Sequence, residues 1–115
     1  MSDQQLELFS LGVTQVLDAS KMTPEEYYKK FSTRNPHVYK LLVRMAREFI
    51  EETGAQRMGF RMLWEVLRWR FARAVKTDDA YLLNNNLQRF YVRDIIANEP
   101  DLATYFETRD RKDAA

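Results

Sequence analysis

Asn85, Asn86, Gln88 and Arg89 fall within five consecutive residues, and Arg93 follows one helical turn after Arg89. Amide and guanidinium side chains each offer two hydrogen bonds in a fixed plane. At the start of a helix this is the chemistry that reads base edges in the major groove of DNA, with Arg93 placed to reach a phosphate or a further base edge. Upstream, Arg57, Arg61, Arg68, Arg70 and Arg73 supply guanidinium groups suited to the phosphate backbone. These ten residues are the candidate DNA-binding set. The same spacings admit a structural reading. Arg61 with Glu65 and Glu65 with Arg68 stand at i,i+4 and i,i+3, as in a salt-bridged helix face. An asparagine triplet caps helices without touching DNA, and Arg89 and Arg93 have Asp94 and Glu99 as nearby acidic partners.

Catalytic chemistry has little to work with. The chain has no cysteine, which removes thiolate nucleophiles, disulfides and cysteine-ligated zinc. The single histidine, His37, excludes a multi-histidine metal site and, following Pro36 in a first helical turn, is expected to cap or lie at the surface. Glu48, Glu51 and Glu52 share one helix and provide too few ligands for a metal. There is no glycine-rich phosphate loop and no nucleophile elbow. No catalytic residue, metal or cofactor is expected, and the chain reads as a non-enzyme.

The elements that must position these residues are helices. Thr23-Pro24-Glu25-Glu26 forms a capping box with proline at the first helical position, predicting a helix over 24–31. Asn35-Pro36 repeats the signal, with Asn35 as N-cap. Val38, Leu41, Leu42, Met45 and Phe49 then recur at three and four residues, predicting a helix over 36–53 closed by Gly54. Residues 60–75 carry Phe60, Met62, Leu63, Trp64, Val66, Leu67, Trp69 and Phe71, an apolar stripe broad enough to predict burial on more than one side. The asparagine triplet opens a helix over 85–97, and Asn98-Glu99-Pro100-Asp101 restarts one over 100–107. The expected fold is all-α, a compact single domain of five to six helices. Residues 1–22 form an N-terminal segment, 23–109 the helical domain and 110–115 a polar tail.

Two stretches resemble known sequences. Gln5-Leu6-Glu7-Leu8-Phe9 resembles the peptide through which bacterial polymerases and other proteins bind the replicative sliding clamp, whose form is Gln-Leu-x-Leu-Phe. The resemblance implies that Gln5, Leu6, Leu8 and Phe9 bind the host clamp, with the two apolar residues at the end of the motif as anchors. The alternative is a packed helix, opened by Ser2-Asp3-Gln4-Gln5 and striped by Leu6, Phe9, Val13, Val16 and Leu17. From Asn35 onward the chain looks like a family of small, largely uncharacterised proteins encoded by bacteriophages and prophages. The resemblance is carried by Asn35-Pro36-His37-Val38-Tyr39, Gly59-Phe60-Arg61-Met62-Leu63-Trp64-Glu65-Val66-Leu67-Arg68-Trp69, Leu83-Asn84-Asn85-Asn86, Arg89-Phe90-Tyr91-Val92-Arg93 and Glu99-Pro100-Asp101-Leu102. It implies a mobile-element origin and no particular chemistry. Within this block a helix-turn-helix arrangement is expected, with about ten residues between its helices where three or four are usual.

Charge separates along the chain although the net value is only +1: residues 34–76 carry 10 basic and 4 acidic side chains, while the flanks are acidic. A basic middle is the electrostatic footprint that phosphate binding requires. A hydrophobic fraction of 45% in 115 residues is enough for one core and leaves no room for a second domain. No apolar run approaches the roughly 18 residues that span a bilayer. The start, Met1-Ser2-Asp3-Gln4-Gln5, lacks the basic opening of a signal peptide, so the host cytoplasm is the expected location. The function expected from these features is DNA binding in replication, with the terminal peptide tethering the protein to the clamp or blocking it. The competing reading is a pure protein-interaction factor with no nucleic-acid contact.

Overall fold

Proline sets the corners of this chain. The computed structural model describes Leu11, Thr14, residues 21–74, Leu83 and residues 85–106. Helix α1 (Pro24–Arg34) begins as expected, with Thr23 extended at φ −69° and ψ 158° and its hydroxyl oxygen accepting from the Glu26 N–H at 3.2 Å. It ends at Asn35, which cannot continue the helix because the Pro36 ring crowds its backbone out of the α region. Asn35 stands at φ −128° and ψ 62°, and helix α2 (Pro36–Thr53) starts at the next residue. The second corner repeats the first. Glu99 lies between helix α4 (Gln88–Asn98) and the single turn α5 (Pro100–Ala103), precedes Pro100, and takes φ −122° and ψ 83°. At both corners the N–H still closes the preceding helix, Asn35 to Phe31 O at 2.9 Å and Glu99 to Ile95 O at 2.8 Å.

Asn35 does not cap α2. Its side chain turns back and donates from Nδ2 to Phe31 O at 3.0 Å, wholly buried, so it closes α1 instead. The expected caps at Asn85 and Asn86 are corrected too, while Asn84 lies outside the described residues. Asn85 and Asn86 open a 3-10 turn, Asn85–Leu87, and the residue preceding α4 is Leu87, which has no capping side chain. Gly54 behaves as expected, at φ 67° with its N–H bonded to Ile50 O at 2.8 Å.

Helix α3 (Phe60–Ala74) fills the centre. Its buried side chains are Phe60, Leu63, Trp64, Leu67, Arg68 and Phe71, so its core face is a single stripe. The expectation of burial on several sides is overturned at two residues: Met62 is 41% exposed and Trp69, expected in the core, is 57% exposed. The helix expected over 100–107 stops at Ala103. Beyond it Phe106 forms an isolated parallel bridge with Met58, supported by Met58 N–H to Tyr105 O at 2.9 Å, and its ring meets Phe60 edge-on at 5.6 Å. The last described residues therefore close over the segment that leads into α3.

The core is aromatic along one line. Trp64 contacts Tyr91 at 5.7 Å between ring centres, Tyr91 meets Tyr28 edge-on at 4.9 Å, and Tyr28 stacks on Phe90 at 5.1 Å. This line ties α3 to α4 and α4 to α1, each pair adding about 0.5–1.5 kcal/mol beyond burial. The fold is all-α; among the described residues there is no β-strand, and no helix is long and apolar enough to cross a membrane.

Candidate nucleic-acid interface

The outer face of α4 carries Arg89 and Arg93, one turn apart and both exposed. The inward face of the same helix buries Phe90, Tyr91 and Ile95, which fixes this orientation. Phe90 lies at the margin between the two faces, and both guanidinium groups rest against its ring, Arg89 at 4.7 Å and Arg93 at 5.1 Å. Arg93 also approaches the Tyr28 ring at 5.9 Å. Contacts of this kind are worth about 0.5–1 kcal/mol at exposed sites. They also restrict two long side chains that would otherwise sample many rotamers.

Carboxylates offset part of this charge. Arg93 donates from Nε to Asp94 Oδ1 at 3.2 Å and stands 3.7 Å from Glu25 of α1. Tyr28 donates its hydroxyl proton to the other Asp94 oxygen. Burial first, then this bond to an anion, push the Tyr28 hydroxyl well above the ordinary phenol range, so it remains a donor. Sequence reasoning missed Glu25 and Tyr28 at this face, because nothing in the local pattern says that α1 packs beside α4.

The remaining candidates scatter. Gln88 is half-exposed at the start of α4, while Asn85 and Asn86 belong to the preceding 3-10 turn, with Asn86 exposed. Arg57, Arg61 and Arg73 are exposed, and Arg73 lies over the Trp69 ring at 4.7 Å. Arg70 is half-buried in a hollow of about 200 Å3 between α2 and α3, beside Phe49 and Val66. Arg68 departs from the expectation altogether. Its side chain is only 7% exposed, and Nη1 donates to both Glu65 oxygens at 3.1 and 3.2 Å. A guanidinium so enclosed cannot meet a phosphate, and its i,i+3 spacing to Glu65 was the signal for the structural reading. The arginines that look continuous in sequence thus divide between the α2–α3 hollow, the outer face of α3, and the α1–α4 face.

Comparison with known protein families, with curated proteins and with solved structures finds no match. The site therefore rests on geometry alone.

Gln5, Leu6, Leu8 and Phe9 lie outside the described residues. Two positions just beyond them are fixed: Leu11 is fully buried, and Thr14 Oγ1 lies 2.8 Å from His37 Nε2. His37, expected to cap or to lie at the surface, is partly buried; burial lowers its pKa, and its ring joins Thr14 to the start of α2.

A second polar cluster joins α2 to the corner between α4 and α5. Arg47 donates from Nε and Nη2 to the two Asp101 oxygens, both at 3.2 Å, and from Nη2 to Glu99 Oε1 at 2.9 Å. Tyr39 donates to the other Glu99 oxygen at 3.0 Å, and burial with this bond pushes its hydroxyl up to about 12. The hollow of about 470 Å3 beside this cluster is lined by Lys40, Arg44 and Arg47 together with Glu48, Glu51 and Glu99. Its charges balance, so it presents no field of one sign. Among the described residues no group of three metal-ligating side chains converges.

Proposed function

We propose that the chain is a non-catalytic, DNA-binding protein of bacteriophage or prophage origin, and that it meets duplex DNA through the outer face of α4. The observation that carries this reading is the pair Arg89 and Arg93, exposed, one turn apart and both held against the Phe90 ring. Held arginines lose less conformational freedom on engaging a phosphate or a guanine edge than free ones do. Asn86 and Gln88 stand at the same end of the helix, where side chains reach base edges. Fluorescence anisotropy with duplex DNA at low salt tests it. Arg89→Ala should weaken binding by about 1–3 kcal/mol, with affinity falling steeply as salt rises. Arg93→Ala should cost less, because Glu25 and Asp94 already share that charge. Absence of binding at low salt overturns the reading.

A second reading concerns replication. We propose that Gln5, Leu6, Leu8 and Phe9 bind the host sliding clamp. What favours it is the four-position match to the clamp-binding pattern. A peptide of residues 2–12 should bind the clamp in the micromolar range, about −8 kcal/mol at best. Leu8→Ala with Phe9→Ala should abolish this binding, and Glu7→Ala should leave it nearly intact.

A further inference from the structure

The outermost line of α3 is unlike the rest of the surface. Trp69 points directly away from the core face defined by Phe60, Leu67 and Phe71, and is 57% exposed. Val66, one turn earlier, is half-exposed and Met62, two turns earlier, is exposed; both also border the hollow beside α2. Single exposed apolar residues are ordinary, but a tryptophan centred on a helix face with further apolar neighbours marks a contact surface.

The charges beside Trp69 specify the partner. Glu65 stands one turn before it and Arg73 one turn after it, on the same face. An antiparallel copy of the helix, related by a two-fold axis at Trp69, sets residue i against residue 138 − i, because 69 meets itself. In that register Trp69 stacks on Trp69, Val66 meets Ala72, and Glu65 meets Arg73 twice, once on each side of the axis. Such self-matching about one point is the requirement of an isologous contact. A parallel arrangement would instead set like charges together.

We propose that the outer face of α3 is a homodimer interface, in which two copies pack antiparallel about Trp69 with paired Glu65 and Arg73. In the single chain Arg73 covers the Trp69 ring at 4.7 Å, and one Glu65 carboxylate is shared with Arg68 while remaining half-exposed. On association Arg73 turns from its own tryptophan to the second copy's Glu65, and the two indole rings shield each other. α3 has 15 residues, about 22 Å of helix. One pair of such helices buries less than the roughly 1,600 Å2 of a standard interface, so association is weak, with a midpoint between about 10 µM and 1 mM.

Sedimentation analysis of the full chain from about 1 µM to 1 mM tests the proposal. The expected result is a mass that rises with concentration from 13.8 kDa toward twice that value. Emission from Trp69 should shift to shorter wavelength over the same range, while buried Trp64 stays constant. Trp69→Ser and Arg73→Glu should each hold the protein monomeric. Neither touches the core or the Glu65–Arg68 pair, and unchanged circular dichroism confirms the fold. Glu65→Lys combined with Arg73→Glu exchanges the charges and should restore the dimer. If that double variant unfolds, the two single variants decide. A monomer at all concentrations overturns the proposal, as does a dimer that persists unchanged in Trp69→Ser.

Discussion

His37 is the only side chain of its kind here, and its surroundings give it a measurable role. Burial lowers its pKa below the ordinary value of 6.5. The unfolded chain therefore takes up the proton first as pH falls, and stability declines from just below pH 6.5 down through the folded-state pKa. His37→Gln places an amide near Nε2, keeps a partner for Thr14, and cannot titrate. Thermal melts between pH 7 and 5 should show that this variant has lost part of the wild-type decline. Tyr28 is the second test at this scale. Tyr28→Phe keeps the stack on Phe90 and the edge contact with Tyr91 and removes only the bond to Asp94, which retains Arg93. The expected loss is about 1 kcal/mol in urea unfolding. Residue types alone pointed to Arg89 and Arg93, and the structure holds both outside the core. They could not separate Arg68 from its neighbours, because enclosure by the fold is decided by partners distant in sequence.

Helices were legible where the signal was local. The Thr23 cap, the Gly54 stop and both X-Pro boundaries follow from rules that act within four residues. Gly54→Ala should cost about 1 kcal/mol, since no atom lies within 4 Å of the added carbon and only the left-handed backbone resists it. Hydrogen exchange of the last turn of α2 should accelerate in that variant. The misreadings were also local. Asn35, Asn85 and Asn86 have the right type for caps, yet Asn35 finishes one helix and Asn85 and Asn86 begin a 3-10 turn. Arg47 shows what lies beyond such rules. It links α2 to Glu99 and Asp101, more than 50 positions later. Its hydrogen bonds hold the Asp101 carboxyl below the ordinary carboxylate range. The contribution is therefore present above the unfolded-state value near 3.8 and disappears as pH falls through the folded value. Arg47→Met should flatten the acid limb of the melting curve and lower its dependence on salt.

At the scale of the whole molecule, the periodicity of apolar residues was enough to give an all-α fold and most of its interior. Trp64, Leu63, Leu67, Phe90 and Ile95 are all buried, as their spacing predicts. Leu67→Ala should cost about 2–5 kcal/mol in equilibrium unfolding, because the residue is fully enclosed at the centre of α3. Trp69 was misplaced because the sequence pattern of α3 is apolar on nearly every side, and periodicity cannot say which apolar side chain lacks a neighbour. That is a property of how the helices are arranged around α3, and it emerges only when α2 and α4 are in place.

The bridge between Met58 and Phe106 also has a consequence in time. The ribosome adds about 5–20 residues per second, and Phe106 is made after every helix described here. For a few seconds Phe60 and Met58 await the residues that cover them. During synthesis the nascent chain therefore exposes an oily shoulder just where its most apolar helix begins. Chaperones that scan emerging polypeptides would meet it there, and its lifetime is set by the pace of translation through the second half of the message.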